Sequence, residues 1–206
     1  MCTVAFAHPT FAMIPDICFR GYDAAVAGRL AQGIELYSRC LQVVRLKGFD
    51  RGQVLYNRAI AYQRSGNIDA AISDYTSAVE FFPADEPSPQ YNRAQAYRSK
   101  GEFDKALADF THVIEVAPHH PDGYRGRGLL YSVMGREDKA ITDFTKAIDR
   151  SSEDAELYYN RGRSFSRLDD YDNALIDLDK ALEIDPSLAV AIKLRIAIMV
   201  LQRLPK

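Results

Sequence analysis

The sequence predicts an all-α protein, a solenoid of antiparallel helix hairpins, on three observations. An arginine recurs at positions 58, 93, 127 and 161, in steps of 35, 34 and 34 residues. A turn residue follows each one at a fixed distance: Gly66, Gly101, Gly135 and Asp169. Each period also divides into two stretches whose apolar residues recur at helical spacing. In "EFDKALADFTHVIEV", for example, Phe103, Leu107, Phe110 and Ile114 form one stripe with polar residues between.

The glycine between two stretches suits a left-handed helix stop. An alanine then recurs (Ala71, Ala106, Ala140, Ala174), followed by a large apolar or aromatic residue (Tyr75, Phe110, Phe144, Leu178). Pro83, Pro118 and Pro186 break three of the periods before the next begins, and Ser152 stands at that place in the other. Hairpins of this length bury their apolar faces by stacking side by side. The resulting order is a tail (1–13), a degraded first hairpin (14–51), four full repeats (52–86, 87–120, 121–154, 155–188) and a closing helix (189–206). The first hairpin keeps Arg20, Gly21, Gly28 and Tyr37 but has Gly33 in place of the alanine.

In "QYNRAQAY…ALADF…P", Ala94, Tyr97, Ala106, Phe110 and Pro118 fill the slots of the pattern W-x2-L-G-x2-Y, A-x3-F, P. Gln90 replaces its Trp and Arg93 its Leu. The chain thus resembles the tetratricopeptide repeat family over about residues 14–188, in the Asn-Arg-Gly/Ala variety similar to bacterial members. The resemblance implies a right-handed superhelix whose first helices line a concave groove. It also implies a binding module or scaffold for partner proteins, without enzymatic activity.

The repeated arginine stands where the family has an apolar residue. Sixteen residues after it lies an aspartate each time: Arg58 and Asp74, Arg93 and Asp109, Arg127 and Asp143, Arg161 and Asp177. The turn residue falls midway, so the two side chains should face each other across one hairpin. Guanidinium and carboxylate can pair there bidentately, giving structural ion pairs. The alternative is that some of these arginines reach into the groove to hold a ligand. In the first hairpin Arg20 would face Leu36, with no carboxylate.

Carried over residue by residue, the groove slots hold Tyr56, Tyr91, Arg125 and Tyr159, with Asn57, Asn92 and Asn160 beside them. Further along the first helices come Gln95 and Arg163, then Gln63, Arg98, Ser132 and Ser166. Tyrosine offers contact area with a polar tip, although these rings could also only pack between hairpins. The first helices carry ten Lys or Arg against two acids, the second helices five against seventeen. A groove of that sign should attract an acidic partner segment, the alternative being a merely solvated charge pattern. Family modules that clamp acidic chaperone tails use Lys and Asn in the groove. The asparagines here match only in part, and that client is not expected.

The closing helix, "SLAVAIKLRIAIMVLQR", has two apolar sides: Val190, Leu194, Ile198 and Leu201 on one, Ile192, Ile196, Met199 and Val200 on the other. One can cover the last repeat. The other suggests a homodimer through residues 189–203, unless a single wide face folds down on the array. Structural self-assembly through this helix is therefore the alternative function.

Other functions find little support. The net charge of -2 and the acidic second helices argue against nucleic-acid binding, RNA included. No apolar run is long enough to span a bilayer. "GYRGRG" (123–128) lacks the strand context and the Lys-Ser/Thr of a phosphate loop, and His119 and His120 have no third ligand at metal spacing. No cofactor, metal or catalytic constellation is expected. Cys2, Cys18 and Cys40 make an odd count, with Cys18 near the possible groove entrance and Cys40 in a packing slot, so no bond between Cys18 and Cys40 is expected. That points to a reducing, cytoplasmic setting. The periplasm is the alternative, should the start be the tail of a truncated export signal, since Ala5-Phe6-Ala7 resembles a cleavage box.

Overall fold

The computed structural model describes residues 15–43 and 45–202. The tail 1–13, with Cys2 and the Ala5-Phe6-Ala7 box, lies outside them, as does position 203 of the proposed dimer segment. Every regular element among the described residues is a helix: α1 (Asp16–Val26), α2 (Leu30–Val43), α3 (Gly48–Arg64), α4 (Ile68–Val79), α5 (Ser88–Lys100), α6 (Phe103–Val116), α7 (Pro121–Val133), α8 (Glu137–Ile148), α9 (Ala155–Arg167), α10 (Tyr171–Ile184) and α11 (Ala189–Leu201). None is long and apolar enough to cross a membrane. The chain divides into two compact units between Lys100 and Gly101, at the turn of the 87–120 repeat.

The turns follow from backbone sterics. Gly66, Gly101 and Gly135 all have positive φ, the left-handed conformation that ends a helix without a Cβ clash. Asp169 holds the same slot at φ 59°, a conformation that a short polar side chain tolerates. Asn67 and Asp170 then accept hydrogen bonds from the first-turn amides of α4 and α10.

In the unit that ends at Lys100, α1 packs on α2, α2 on α3, α3 on α4 and α4 on α5. First helices also touch one another, α1 with α3 and α3 with α5, whereas the described residues of α2 and α4 do not. The other unit repeats this arrangement, with α7 on α9 and α9 on α11 touching but not α6 and α8 or α8 and α10. In each unit the first helices therefore form the closer row. The core is built from the recurring alanines and the large apolar or aromatic residue that follows each: Ala71 with Tyr75 in one unit, Ala106 with Phe110, Ala140 with Phe144 and Ala174 with Leu178 in the other.

Three features depart from the sequence expectation. Cys18 and Cys40 form a disulfide across the first hairpin, contrary to the expectation of no bond. They lie ten and twelve residues from Gly28, and near-equal distance from the turn puts them opposite each other, with Cα atoms 5.4 Å apart. Second, the segment after α4, to which the repeat pattern assigns no packing role, places Phe81 and Phe82 on the core of α3, and a Cβ on Gly52 would meet Phe81 Cβ at 2.6 Å. Third, the packed side of α11 is Ala191, Leu194 and Ile198; Val190 and Leu201, expected on that side, are about half exposed.

Candidate partner-binding surface

The recurring arginines sit within the hairpins. Arg58 donates from Nε and Nη2 to the two carboxylate oxygens of Asp74 at 2.7 and 2.9 Å. Arg127 makes the same pair of bonds to Asp143 at 2.7 and 2.9 Å, and Arg161 to Asp177 at 2.8 and 2.7 Å. All three aspartates are buried, so each guanidinium neutralises a carboxylate that has lost most of its water. These bonds hold the Arg127 and Arg161 guanidinium pKa values above their ordinary range, against the opposing effect of burial. Arg93 and Asp109 belong to different compact units, and their pairing stays an expectation.

The third nitrogen of each arginine reaches a further helix, which spacing alone did not suggest. Arg58 Nη1 donates to Ser38 at 2.9 Å, Arg93 Nη1 to Thr76 at 3.3 Å, Arg127 Nη1 to Thr111 at 3.3 Å and Arg161 Nη1 to Thr145 at 3.0 Å. The acceptor always lies in the second helix of the preceding hairpin, two residues after the position of its aspartate. The signal was present in the sequence as Asp-x-Thr in three repeats. It continues past them: Arg195, 34 residues after Arg161, donates from Nε to Asp179 at 2.5 Å. Thus α11 stands in the register of a first helix. A second tie was also missed. Arg64 donates to the Ala25 carbonyl and Arg167 to the Ser132 carbonyl and hydroxyl, each binding the C-terminus of the preceding first helix.

The groove slots divide into committed and uncommitted residues. Tyr56 is a correction: it is 5 % exposed, its ring packs against Tyr75 and Phe82, and its hydroxyl accepts from Asn92 at 2.6 Å. Asn57 and Asn160 are buried too, and Asn160 donates to the Glu156 carbonyl. Gln63 accepts from the Tyr75 hydroxyl. Arg125 is ion-paired with Asp122 and with Asp154, so its charge is already balanced. Ser132 is buried beneath Arg167.

Two groups remain, one in each unit. On α5, Tyr91, Gln95 and Arg98 share a face at half-buried positions. Gln95 donates its amide to the Tyr91 hydroxyl at 3.0 Å, while its buried carbonyl oxygen has no partner among the described residues. No carboxylate pairs with Arg98 among the described residues, and burial pulls its guanidinium pKa below the ordinary value, opposed only by the Tyr91 hydroxyl. On α9, the Arg163 guanidinium lies 5.6 Å from the centre of the Tyr159 ring, with Nε buried and lacking an acceptor among the described residues. Each group thus presents a desolvated cation beside a tyrosine, suited to receive a carboxylate. Among the described residues no cluster of His, Cys, Asp and Glu could hold a metal.

Models of the family described as "Tetratricopeptide repeat" match residues 52–85, 88–120, 124–154 and 155–188, more than half of the chain. The chain belongs to the tetratricopeptide repeat family. No curated protein sequence matches it. Among solved structures, this tetratricopeptide repeat chain is similar to MamA, at 22% identity and a TM-score of 0.71 over 82% of this chain and 96% of that one. A tetratricopeptide repeat protein from Parabacteroides merdae superposes with a TM-score of 0.78 at 21% identity, over 90% and 72% of the two chains. YrrB, described as a tetratricopeptide repeat protein with an unusual peptide-binding site, superposes with a TM-score of 0.68 at 16% identity, over 87% and 90%. At these identities the likeness establishes the fold, a tetratricopeptide-type helical solenoid.

Proposed function

We propose that this protein is a non-enzymatic interaction module that holds an acidic segment of a partner protein along its first helices. One observation carries the reading: Arg98 is half-buried on α5 with no carboxylate to neutralise it among the described residues. A desolvated guanidinium is costly to leave unpaired, and an incoming Asp, Glu or chain-terminal carboxylate would supply the missing acceptor. Tyr91 would add apolar contact beside it, and Tyr159 with Arg163 offers the same chemistry on α9. Peptide binding by YrrB, a structural neighbour, is in keeping with this use of the fold. The buried Tyr56, Asn57 and Asn160 are not part of the proposed contact. The acidic second helices and the arginines spent on aspartates weigh against nucleic acid. The Cys18–Cys40 bond supports an oxidising compartment such as the periplasm over the cytoplasm.

The test is selection from a random peptide display library, then affinity measurement for the enriched peptides. Enrichment in Asp and Glu, with a loss of roughly 10- to 100-fold in Arg98→Ala, is the expected result. Enriched peptides without an acidic bias, or affinity unchanged in that variant, would refute the reading.

A second reading, self-assembly through α11, has its own observation. Ile192, Ile196 and Val200 are exposed along one side of α11. Ile196 stands in the slot after the recurring arginine, where the full repeats have Ala59, Ala94, Gly128 and Gly162. An antiparallel pairing of two copies would place Ile196 opposite itself and Ile192 opposite Val200, a self-complementary contact. Light scattering should then give a dimer at micromolar concentration that Ile196→Glu dissociates; a monomeric wild type would refute it.

A further inference from the structure

The first hairpin differs from the others in what ties its helices together. Arg20 occupies the register of the recurring arginine, but the facing position is Leu36, which is buried. Arg20 instead turns outward to Asp16 on its own helix, at 3.7 Å, with both side chains well exposed. Such a pair does nothing to join α1 to α2. The join comes one turn further from Gly28, where the Cys18–Cys40 disulfide links the two helices. Cys18 stands in the slot of Tyr56, Tyr91, Arg125 and Tyr159, and Cys40 in the slot of Ala78, Val113, Ala147 and Ala181. The hairpin is therefore covalently closed at the place where the others rely on packing, and lacks the ion pair found in three of the others.

We propose that the first hairpin is an oxidation-dependent closure of the array: α1 and α2 stay folded on α3 while Cys18 and Cys40 are joined, and come away when the bond is reduced. The sulfurs belong to a buried cluster with Tyr37, Val54 and Ala61, so the bond lies within the contact between the hairpin and α3. Gly21 and Gly33 let the helices approach closely: a Cβ on Gly33 would meet Ala25 Cβ at 3.0 Å and the Gly21 carbonyl at 3.1 Å. The burial of Tyr37 in the same cluster raises its phenol pKa well above the ordinary value, so nothing on that side chain titrates near neutrality to compete with the redox event.

The chemistry is thiol–disulfide exchange with a dithiol reductant. One reductant thiolate attacks a protein sulfur and breaks the Cys18–Cys40 bond, forming a mixed disulfide. The second reductant thiol displaces the protein sulfur from that intermediate. Cys18 and Cys40 end as thiols with two electrons and two protons gained, and the reductant ends as its own disulfide. Cys40 is fully buried and Cys18 nearly so, so exchange requires the hairpin to open first. Once formed, the closure is guarded against casual reduction. Reduced, α1 and α2 have neither a covalent nor an ionic joint between them, and only apolar packing and the Arg58–Ser38 and Arg64–Ala25 hydrogen bonds hold them to α3, whose apolar face around Val54 and Ala61 becomes available to another occupant as they open.

The experiment compares full-length protein with and without a dithiol, by thiol counting and hydrogen exchange. Denatured without reductant, the oxidised protein should alkylate at Cys2 alone, and at all three cysteines after reduction. Reduction should speed exchange in residues 16–43 by about 100-fold while leaving α8–α10 unchanged. The Cys18→Ala/Cys40→Ala variant should behave like reduced protein whether or not dithiol is present. Adding Leu36→Asp to that variant should restore part of the protection by giving Arg20 a facing carboxylate. Three reactive thiols in the unreduced protein, or full protection of residues 16–43 after reduction, would overturn the proposal. Failure of Leu36→Asp to restore protection would overturn the claim that the disulfide takes the place of the ion pair.

Discussion

Removing Arg127 should cost as much as truncating a large apolar core residue. Asp143 is 2 % exposed, and both of its carboxylate oxygens accept from Arg127, at 2.7 and 2.9 Å. Arg127→Met keeps the aliphatic stem but takes away both donors, leaving a buried carboxylate uncompensated. The expected loss is roughly 3–5 kcal/mol. Asp143→Ala strands the guanidinium instead, but its side chain keeps some water contact and lies 5.9 Å from the Tyr131 ring centre. That loss should fall toward the lower end, about 3 kcal/mol. The double variant Arg127→Met/Asp143→Leu removes both charges together and should cost much less than the sum, because the desolvation penalty disappears along with the attraction. Urea unfolding followed by circular dichroism, with hydrogen exchange over α7–α9, reads the effect; both are needed because repeat arrays can unfold in parts. Single variants each within about 1 kcal/mol of wild type, with additive effects in the double variant, would refute the reasoning.

Three other outcomes are expected. Gly126→Ala should lower thermal stability although alanine favours helix, because the new methyl would run into the buried Phe110 ring; the net cost is about 1–2 kcal/mol by denaturation. Asp169→Ala, at φ 59°, should cost about 1 kcal/mol, since alanine tolerates the left-handed conformation less well than aspartate. Asp185 is held below its ordinary pKa of 3.8 by the hydroxyl and amide of Ser187. A group depressed in the folded state contributes fully above its unfolded value and loses that contribution as pH falls. Protection factors at the start of α11, exchange having been corrected for its intrinsic pH dependence, should therefore be flat from pH 7 to 5 and fall below about pH 4, a dependence that Asp185→Ala abolishes.

The hairpins were legible because periodicity, left-handed turn residues and apolar stripes all point to one arrangement. Equal distance from the turn was enough to set Arg58, Arg127 and Arg161 opposite their aspartates. The same rule places Cys18 opposite Cys40, although an odd cysteine count gives no disulfide framework and the two stand in different slots of the repeat. Tyr56 was misread for another reason. Its burial depends on Phe82, supplied by an irregular connection whose path no repeat pattern specifies. The charge of the first helices is legible as a sum, but the sum does not say which side chains are already paired. Arg125 is cancelled by local aspartates, whereas Arg98 is not, and only coordinates separate the two.

The spacing of the arginine contacts bears on how such a chain can change length. Within a hairpin the separation is 16 residues wherever the pair is seen, fixed by two simultaneous bonds. Between hairpins a single bond spans 20, 17, 16, 16 and 16 residues in turn. Insertions are thus absorbed at the connections and forbidden across the turns. A hairpin with its arginine and aspartate is an exchangeable cassette, and the residue two beyond the aspartate is the adaptor that accepts the next one. Recombinants cut in the connections, rather than at the glycines, are the ones this architecture would tolerate.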